Sequence, residues 1–231
     1  MKTTNIIAPK ADKKPAKLEK HGDVRIDNYF WMRLSDAQKL AAEKDDQTTN
    51  VVDYLNAENE YYENHTAHTK GFQETLFQEM KGRIKEDDSS VPYKDNGYFY
   101  ITRYETGKQY PIFSRKKETL AAKEEILFDV NEMATGFDYY QLGGLNISEN
   151  NQFAVFATDT VSRRQYTLKI KNLETGEIYD DTIENTTGGS VWANDNSTLF
   201  YTKKDPVTLR SEKIFRHVLG TLTSEDIEVF H

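Results

Sequence analysis

Cysteine is absent from the 231 residues. That excludes a disulfide framework and thiolate chemistry, and with them the small secreted domains that depend on disulfides. The chain also lacks any apolar run near the roughly 18 residues that cross a bilayer, and its N-terminus lacks the apolar segment of roughly 7 to 15 residues that marks a secretory signal. A cytoplasmic protein with no membrane partner is expected. Basic residues are in deficit, 30 Lys and Arg against 38 Asp and Glu, for a net charge of -8. Neutralising phosphates needs clustered cations on a basic domain, so a nucleic-acid partner is excluded. What the chain does have is aromatic residues, 14 Tyr and 12 Phe. These fit half-buried strands better than helix interiors, which makes a mainly β fold the first expectation.

Texture changes along the chain divide it into three. Residues 1–20 combine Pro9, Pro15 and the lysines Lys2, Lys10, Lys13, Lys14, Lys17 and Lys20 without periodicity, and read as an extended, solvated basic arm. Residues 21–85 read as a helical extension. Asn50 stands as an N-cap, Val51, Tyr54, Leu55, Glu58, Tyr61 and Tyr62 recur at helical spacing, and Phe72, Leu76, Phe77 and Met80 follow after a break near Lys70-Gly71. From residue 86 the period changes to that of strands, after the polar turn Asp87-Asp88-Ser89-Ser90. Short aromatic runs then follow one another: Tyr98–Ile101, Tyr110–Phe113, Ile126–Phe128, Phe153–Phe156, Tyr166–Ile170, Val191-Trp192, Leu199–Tyr201 and Ile214-Phe215. Pro111 marks an edge or a bulge.

The strand region repeats. Asp95-Asn96-Gly97, Asn150-Asn151-Gln152 and Asp195-Asn196-Ser197 each make a polar turn entering an aromatic strand, at steps of about 55 and 45 residues, the spacing of four-stranded propeller blades. Residues 86–231 are therefore expected to hold about three blades of a β-propeller. A closed ring takes roughly 4 to 8 blades, and the sequence stops inside a strand pattern at Val229-Phe230-His231. A truncated propeller is the expectation.

Several motifs in order resemble the prolyl oligopeptidase family of serine peptidases, most closely its oligopeptidase B branch (protease II). They are His21–Arg33, Tyr54-Leu55 with Ala57-Glu58-Asn59, Glu79–Ile84 with Ser90-Val91-Pro92, Gly107–Pro111, Asp129–Glu132, Trp192–Asp195 and Arg216–Thr221. The resemblance implies an N-terminal extension packed on a C-terminal α/β-hydrolase domain, with a seven-bladed propeller between them that limits access to short peptides. It also implies cleavage after Arg or Lys, with carboxylates reading the cationic side chain. The expected partners are thus the hydrolase domain of the same protein and short basic peptides.

That hydrolase needs G-x-S-x-G followed by Asp and His, and no serine here has that setting. Gly188-Gly189-Ser190-Val191-Trp192 lacks the second glycine and precedes a strand. Catalytic, cofactor-binding and metal residues are accordingly assigned as none, no cofactor is expected, and the chain alone is expected to be inactive. Other candidates read more simply as structure. His65 and His68 lack the glutamate of a zinc-peptidase helix and read as a solvated face. Glu86-Asp87-Asp88 reads as a polar linker. His21, Arg25, Asp27, Tyr29 and Trp31 read as a docking surface for the hydrolase domain, with Arg25 pairing Asp27 or a partner carboxylate. His217 reads as a packed histidine. Two alternatives stay open: a stand-alone propeller-like module that binds peptides by strand addition, and a non-functional gene fragment.

Overall fold

The computed structural model describes residues 7–231. The first residues of the basic arm, Lys2 among them, lie outside the described residues. The chain divides into two compact units, one ending at Ile84 and the other running from Lys85 to His231.

The first unit begins with a hairpin, β1 (Ala16–Lys20) antiparallel to β2 (Asp23–Asp27), with Ala16 opposite Asp27 and Lys20 opposite Asp23. The expected solvated arm thus pairs over its last five residues. His21 at φ 54° and Gly22 at φ 81° supply the two left-handed positions of a tight primed turn. Next comes α1 (Asp36–Leu40), closed by a reciprocal capping box: the Gln38 amide donates to Ser35 Oγ at 3.2 Å and the Ser35 amide to Gln38 Oε1 at 2.9 Å.

The helix α2 (Asp46–Thr66) starts ahead of Asn50, which lies inside it. Its true N-cap is Asp45, whose Oδ1 accepts the Thr48 amide at 2.7 Å and satisfies an otherwise orphaned donor. The expected break between two helices falls at a 3₁₀ turn over Ala67–Thr69, immediately before α3 (Lys70–Gly82), with Gly71 in its first turn. Only Thr48 and Val51 are buried among the described residues of this unit. On α3, Phe72, Leu76, Phe77 and Met80 follow helical spacing and all remain exposed.

The second unit is built of antiparallel blades. The first blade is β3 (Tyr93–Asp95), β4 (Tyr98–Arg103), β5 (Ile112–Lys117) and β6 (Glu124–Asp129), hydrogen-bonded in that order. Pro111 falls just outside β5, and its carbonyl accepts the Val130 amide at 3.2 Å. A single-turn helix, α4 (Val130–Met133), and a loop lead to β7 (Gln141–Ile147). From there β8 (Phe153–Asp159), β9 (Tyr166–Asn172), β10 (Ile178–Trp192), β11 (Thr198–Lys204), β12 (Ser211–Val218) and β13 (Ile227–Phe230) join β7 in one seven-stranded ladder in sequence order.

That ladder is two blades sharing one strand. The first half of β10 pairs with β9, the second half with β11, and Thr186 faces both Tyr166 and Lys203 at the changeover. The register shifts there, between Thr186 and Ser190. Gly188 adopts φ +87°, and a Cβ added to it would lie 3.0 Å from the Tyr166 ring. Gly144, on β7, is more constrained: at φ +57° its Cβ would come within 1.6 Å of the Gly188 carbonyl oxygen. Only glycine lets two backbones pass this closely.

Strand β8 explains why the apolar run Phe153–Phe156 is nearly continuous. As a strand of the second blade it is covered from both sides and is buried on both faces. Ala154 and Phe156 pack with Tyr100, Leu127 and Phe128 of the first blade, and the rings of Phe128 and Phe156 lie 4.8 Å apart. Val155 and Ala157 face the other way, onto Leu168, Ile170, Ile183, Leu199 and Tyr201. Burying a side chain the size of Phe156 contributes about 2 kcal/mol before entropy is counted. Lys171 adds a polar tie, donating from Nζ to the Leu127 carbonyl at 2.7 Å, with burial holding its ammonium below the ordinary lysine range.

Candidate functional surfaces

Each sequence candidate has a definite place. Ser190 sits within β10, buried, and its hydroxyl has no hydrogen-bond partner. An activated serine needs a base within hydrogen-bond reach and a strained turn into a helix, and neither is present. His65 stacks on Tyr61 with centroids 5.4 Å apart, while Nδ1 of His68 lies 3.1 Å from the His65 carbonyl oxygen, so the two imidazoles do not converge. Among the described residues no three His, Cys, Asp or Glu side chains gather as a metal requires.

The acidic stretch Glu86-Asp87-Asp88 is tied into the start of the second unit. Lys85 Nζ donates to Asp88 Oδ1 at 3.1 Å, the Gly107 amide donates to Glu86 Oε2 at 3.3 Å, and the Tyr104 amide to the Asp88 carbonyl at 2.8 Å. The Lys85 hydrogen bond, ahead of the Ser89 amide, holds the Asp88 carboxyl below its usual range.

The aromatic and polar motif from His21 to Trp31 does not form one constellation. His21 makes the hairpin turn and Arg25 lies opposite Leu18. Asp27 Oδ1 accepts the Tyr29 amide at 2.8 Å. Trp31 is anchored from three sides: its Nε1 donates to the Asp12 carbonyl at 2.9 Å, Lys14 Nζ lies 4.5 Å over its ring, and Gln47 Nε2 donates to its carbonyl at 2.7 Å. Lys14, Trp31 and Gln47, together with Phe30, Arg33 and Gln38, line a groove of about 800 Å³ within the first unit.

His217 is fully buried, and its neighbours come from separate stretches of the sequence. Nδ1 lies 2.6 Å from Asp226 Oδ1, and Nε2 lies 3.8 Å from Asp181 Oδ1 without a hydrogen bond. Tyr201 donates to Asp226 Oδ2 at 2.7 Å and the Gly220 amide to Asp181 Oδ2 at 2.9 Å. Burial first, then the hydrogen bond to Asp226 and its charge, push the Tyr201 phenol well above its ordinary range. Asp181 belongs to β10, His217 to β12, and Asp226 to the turn before β13. The cluster therefore ties strands β10 and β12 of adjacent blades to the turn before β13.

Comparison with known proteins agrees with this architecture. Residues 9–231 match the family described as "Prolyl oligopeptidase, N-terminal beta-propeller domain". The chain belongs to the prolyl oligopeptidase family, as a helical extension followed by propeller blades. It is 40% identical to dipeptidyl aminopeptidase BI of Pseudoxanthomonas mexicana, over 96% of this chain and 32% of that protein. It is 30% identical to protease 2 of Moraxella lacunata, over 96% of this chain and 31% of that one. Among solved structures, oligopeptidase B from Leishmania major superposes with a TM-score of 0.82 at 31% identity, covering 98% of this chain and 33% of that one. Oligopeptidase B from Trypanosoma brucei gives 0.81 at 25%, covering 97% and 32%. The chain thus spans about a third of the length of these relatives. No helix among the described residues is long and apolar enough to cross a membrane.

Proposed function

We propose that this chain is the non-catalytic N-terminal and propeller part of a cytoplasmic serine oligopeptidase that cleaves short peptides after Arg or Lys. Its first unit docks on a C-terminal α/β-hydrolase domain and its blades restrict access to that domain's active site. The observation that carries the reading is the family match over residues 9–231, joined to relatives whose remaining two thirds leave room for the catalytic domain. Support for docking comes from α3: a helix with Phe72, Leu76, Phe77 and Met80 all exposed has an apolar stripe with nothing on it, and such stripes are normally covered. The occupant is the hydrolase domain, because that domain accounts for the length by which the relatives exceed this chain. In this scheme the parent's triad forms and hydrolyses the acyl-enzyme, while the present residues orient and enclose the peptide.

The test is hydrolysis of a fluorogenic Arg-Arg peptide by the purified chain, alone and mixed with the separately expressed remainder of its gene. Activity in the mixture alone supports the reading, and activity from the chain by itself overturns it.

A further inference from the structure

A small pocket of about 280 Å³ opens between the first two blades, beside the strands β3 and β7 that begin them. Its walls include Tyr93, Asp95, Tyr100, Leu127, Leu145 and Asn146. Tyr93 and Asp95 are two residues apart on β3 and so share a face, and Tyr100 lies directly opposite Tyr93 on β4. The two rings stack with centroids 5.4 Å apart at 22°. Tyr100 is buried beneath, whereas Tyr93 is 62% exposed, which leaves its outer face open. Burial first, then the charge of Asp95, raises the Tyr93 phenol above its usual range, as expected for a carboxylate close to that ring.

The carboxylate of Asp95 is uncommitted. Its counterpart in the third blade, Asp195, caps its own turn, accepting from the Ser197 amide at 3.0 Å, the Thr198 amide at 2.8 Å and the Thr198 hydroxyl at 2.7 Å. Asp95 makes no side-chain hydrogen bond and no ion pair among the described residues. The cations nearby are already engaged, Arg115 with the Tyr100 phenol among other partners. Lys94 points to the opposite face, with Nζ 5.4 Å over Phe99. Arg115, opposite Tyr100, is tied to Glu125 at 2.8 Å and to the Asn151 carbonyl at 3.1 Å, and lies 4.0 Å over Tyr98.

We propose that the Tyr93–Asp95–Tyr100 pocket binds an organic cation, the guanidinium or ammonium of a peptide. An open aromatic face with a carboxylate at its edge and apolar walls behind is the arrangement that stabilises such a group, by cation–π attraction together with a charge-assisted hydrogen bond. The pocket lies within the blades, so it reads a cation outside the hydrolase domain. The inference rests on the peptidase reading only for the source of the cation.

The test is a tyrosine-ring NMR titration of the 231-residue chain with three probes. N-acetyl-arginine amide carries only a guanidinium, alanyl-alanine amide only an α-ammonium, and N-acetyl-norleucine amide neither. The expected result is saturable shifts of the Tyr93 ring with at least one cationic probe and none with the norleucine probe. Asp95→Asn should weaken that binding about tenfold while leaving the melting temperature unchanged. The guanidinium probe responding identifies a side chain as the ligand, and the ammonium probe a peptide N-terminus. Equal binding of the neutral probe, unchanged binding to D95N, or no response to either cation overturns the proposal. Because the readout is binding by this chain alone, its failure is separate from failure of the reconstituted peptidase.

Discussion

Asn196, in the turn between β10 and β11 of the third blade, accepts the backbone N–H of Asn150 through its side-chain Oδ1 at 2.8 Å. The same kind of link joins the first two blades: Asn151 Nδ2 donates to the Asn96 carbonyl at 3.0 Å, and Asn96 Nδ2 donates to the Glu149 carbonyl. Asn96, Asn151 and Asn196 occupy equivalent positions of the repeated turn, and all have positive φ, at 41°, 60° and 58°. Asparagine suits both demands, since it tolerates left-handed backbone and carries a short amide that reaches the neighbouring turn.

Replacing Asn196 with glycine keeps that backbone and removes only the amide. The amide also donates to the Asn194 carbonyl at 3.1 Å, so the expected cost is about 1 to 2 kcal/mol, the usual worth of two such hydrogen bonds. A lowered urea midpoint with an unchanged slope checks it, and an unchanged midpoint rejects a stitching role.

The aspartate before it responds to acid. Hydrogen bonds from the Thr198 side chain, then from the Ser197 and Thr198 amides, lower the Asp195 carboxyl from 3.8 to about 2. A depressed folded-state value contributes stability that is present above the unfolded value and is lost as pH falls through the folded one. Wild-type melting temperature should therefore drop more steeply between pH 4 and pH 2 than that of Asp195→Asn. Parallel curves would show that the turn does not contribute.

The buried histidine cluster and a surface ion pair on the same strands give contrasting expectations. Asp226→Asn disrupts a pair whose two side chains are 0% and 2% exposed, and should cost about 3 kcal/mol or more. Glu228→Gln removes the Lys213 pair, whose side chains are 35% and 37% exposed, and should cost less than about 0.5 kcal/mol. Chemical denaturation of the two variants side by side measures the difference.

Gly144→Ala should be among the most damaging single changes, at about 3 kcal/mol or more. The added methyl meets backbone at Gly188 rather than a movable side chain. Soluble expression and thermal melting test this, with Gly176→Ala as the control: that glycine shares a positive φ of 79° but has open space around it.

On α3, Leu76→Ser and Met80→Ser should leave the melting of the isolated chain nearly unchanged, because both side chains are already exposed. If the hydrolase domain covers them, the same changes should abolish reconstituted activity. Reconstitution at the wild-type level would remove α3 from the interface.

Much of this fold was legible in the sequence where one residue's neighbours decide its state. The aromatic runs at Tyr98, Phe153, Tyr166 and Leu199 became β4, β8, β9 and β11, because alternation and branching act locally. Strand β7 is hidden in the sequence because Gly143-Gly144 reads as a breaker, yet Gly144 serves the close approach of two backbones. The first half of β10, Ile178–Thr186, is rich in Asp, Glu, Asn and Thr, so it lacks the apolar signature of a strand that lies at the outside of a blade. Asn50 reads as a cap from sequence because Asp45, the real one, precedes the apolar periodicity by several polar residues. The partners of His217 were invisible for a different reason. Asp181 and Asp226 reach it only once strands are laid side by side, and Asp95 is distinguishable from Asp195 only by what its side chain fails to touch.

The shared strand β10 gives the molecule two kinds of joint. The second and third blades are continuous through it, so a displacement of one pulls directly on the backbone of the other. The first and second share no strand and are connected through α4 and an irregular stretch before β7. Deformation of this part of the propeller under load should therefore concentrate at the seam where Tyr100 and Phe128 meet Phe156.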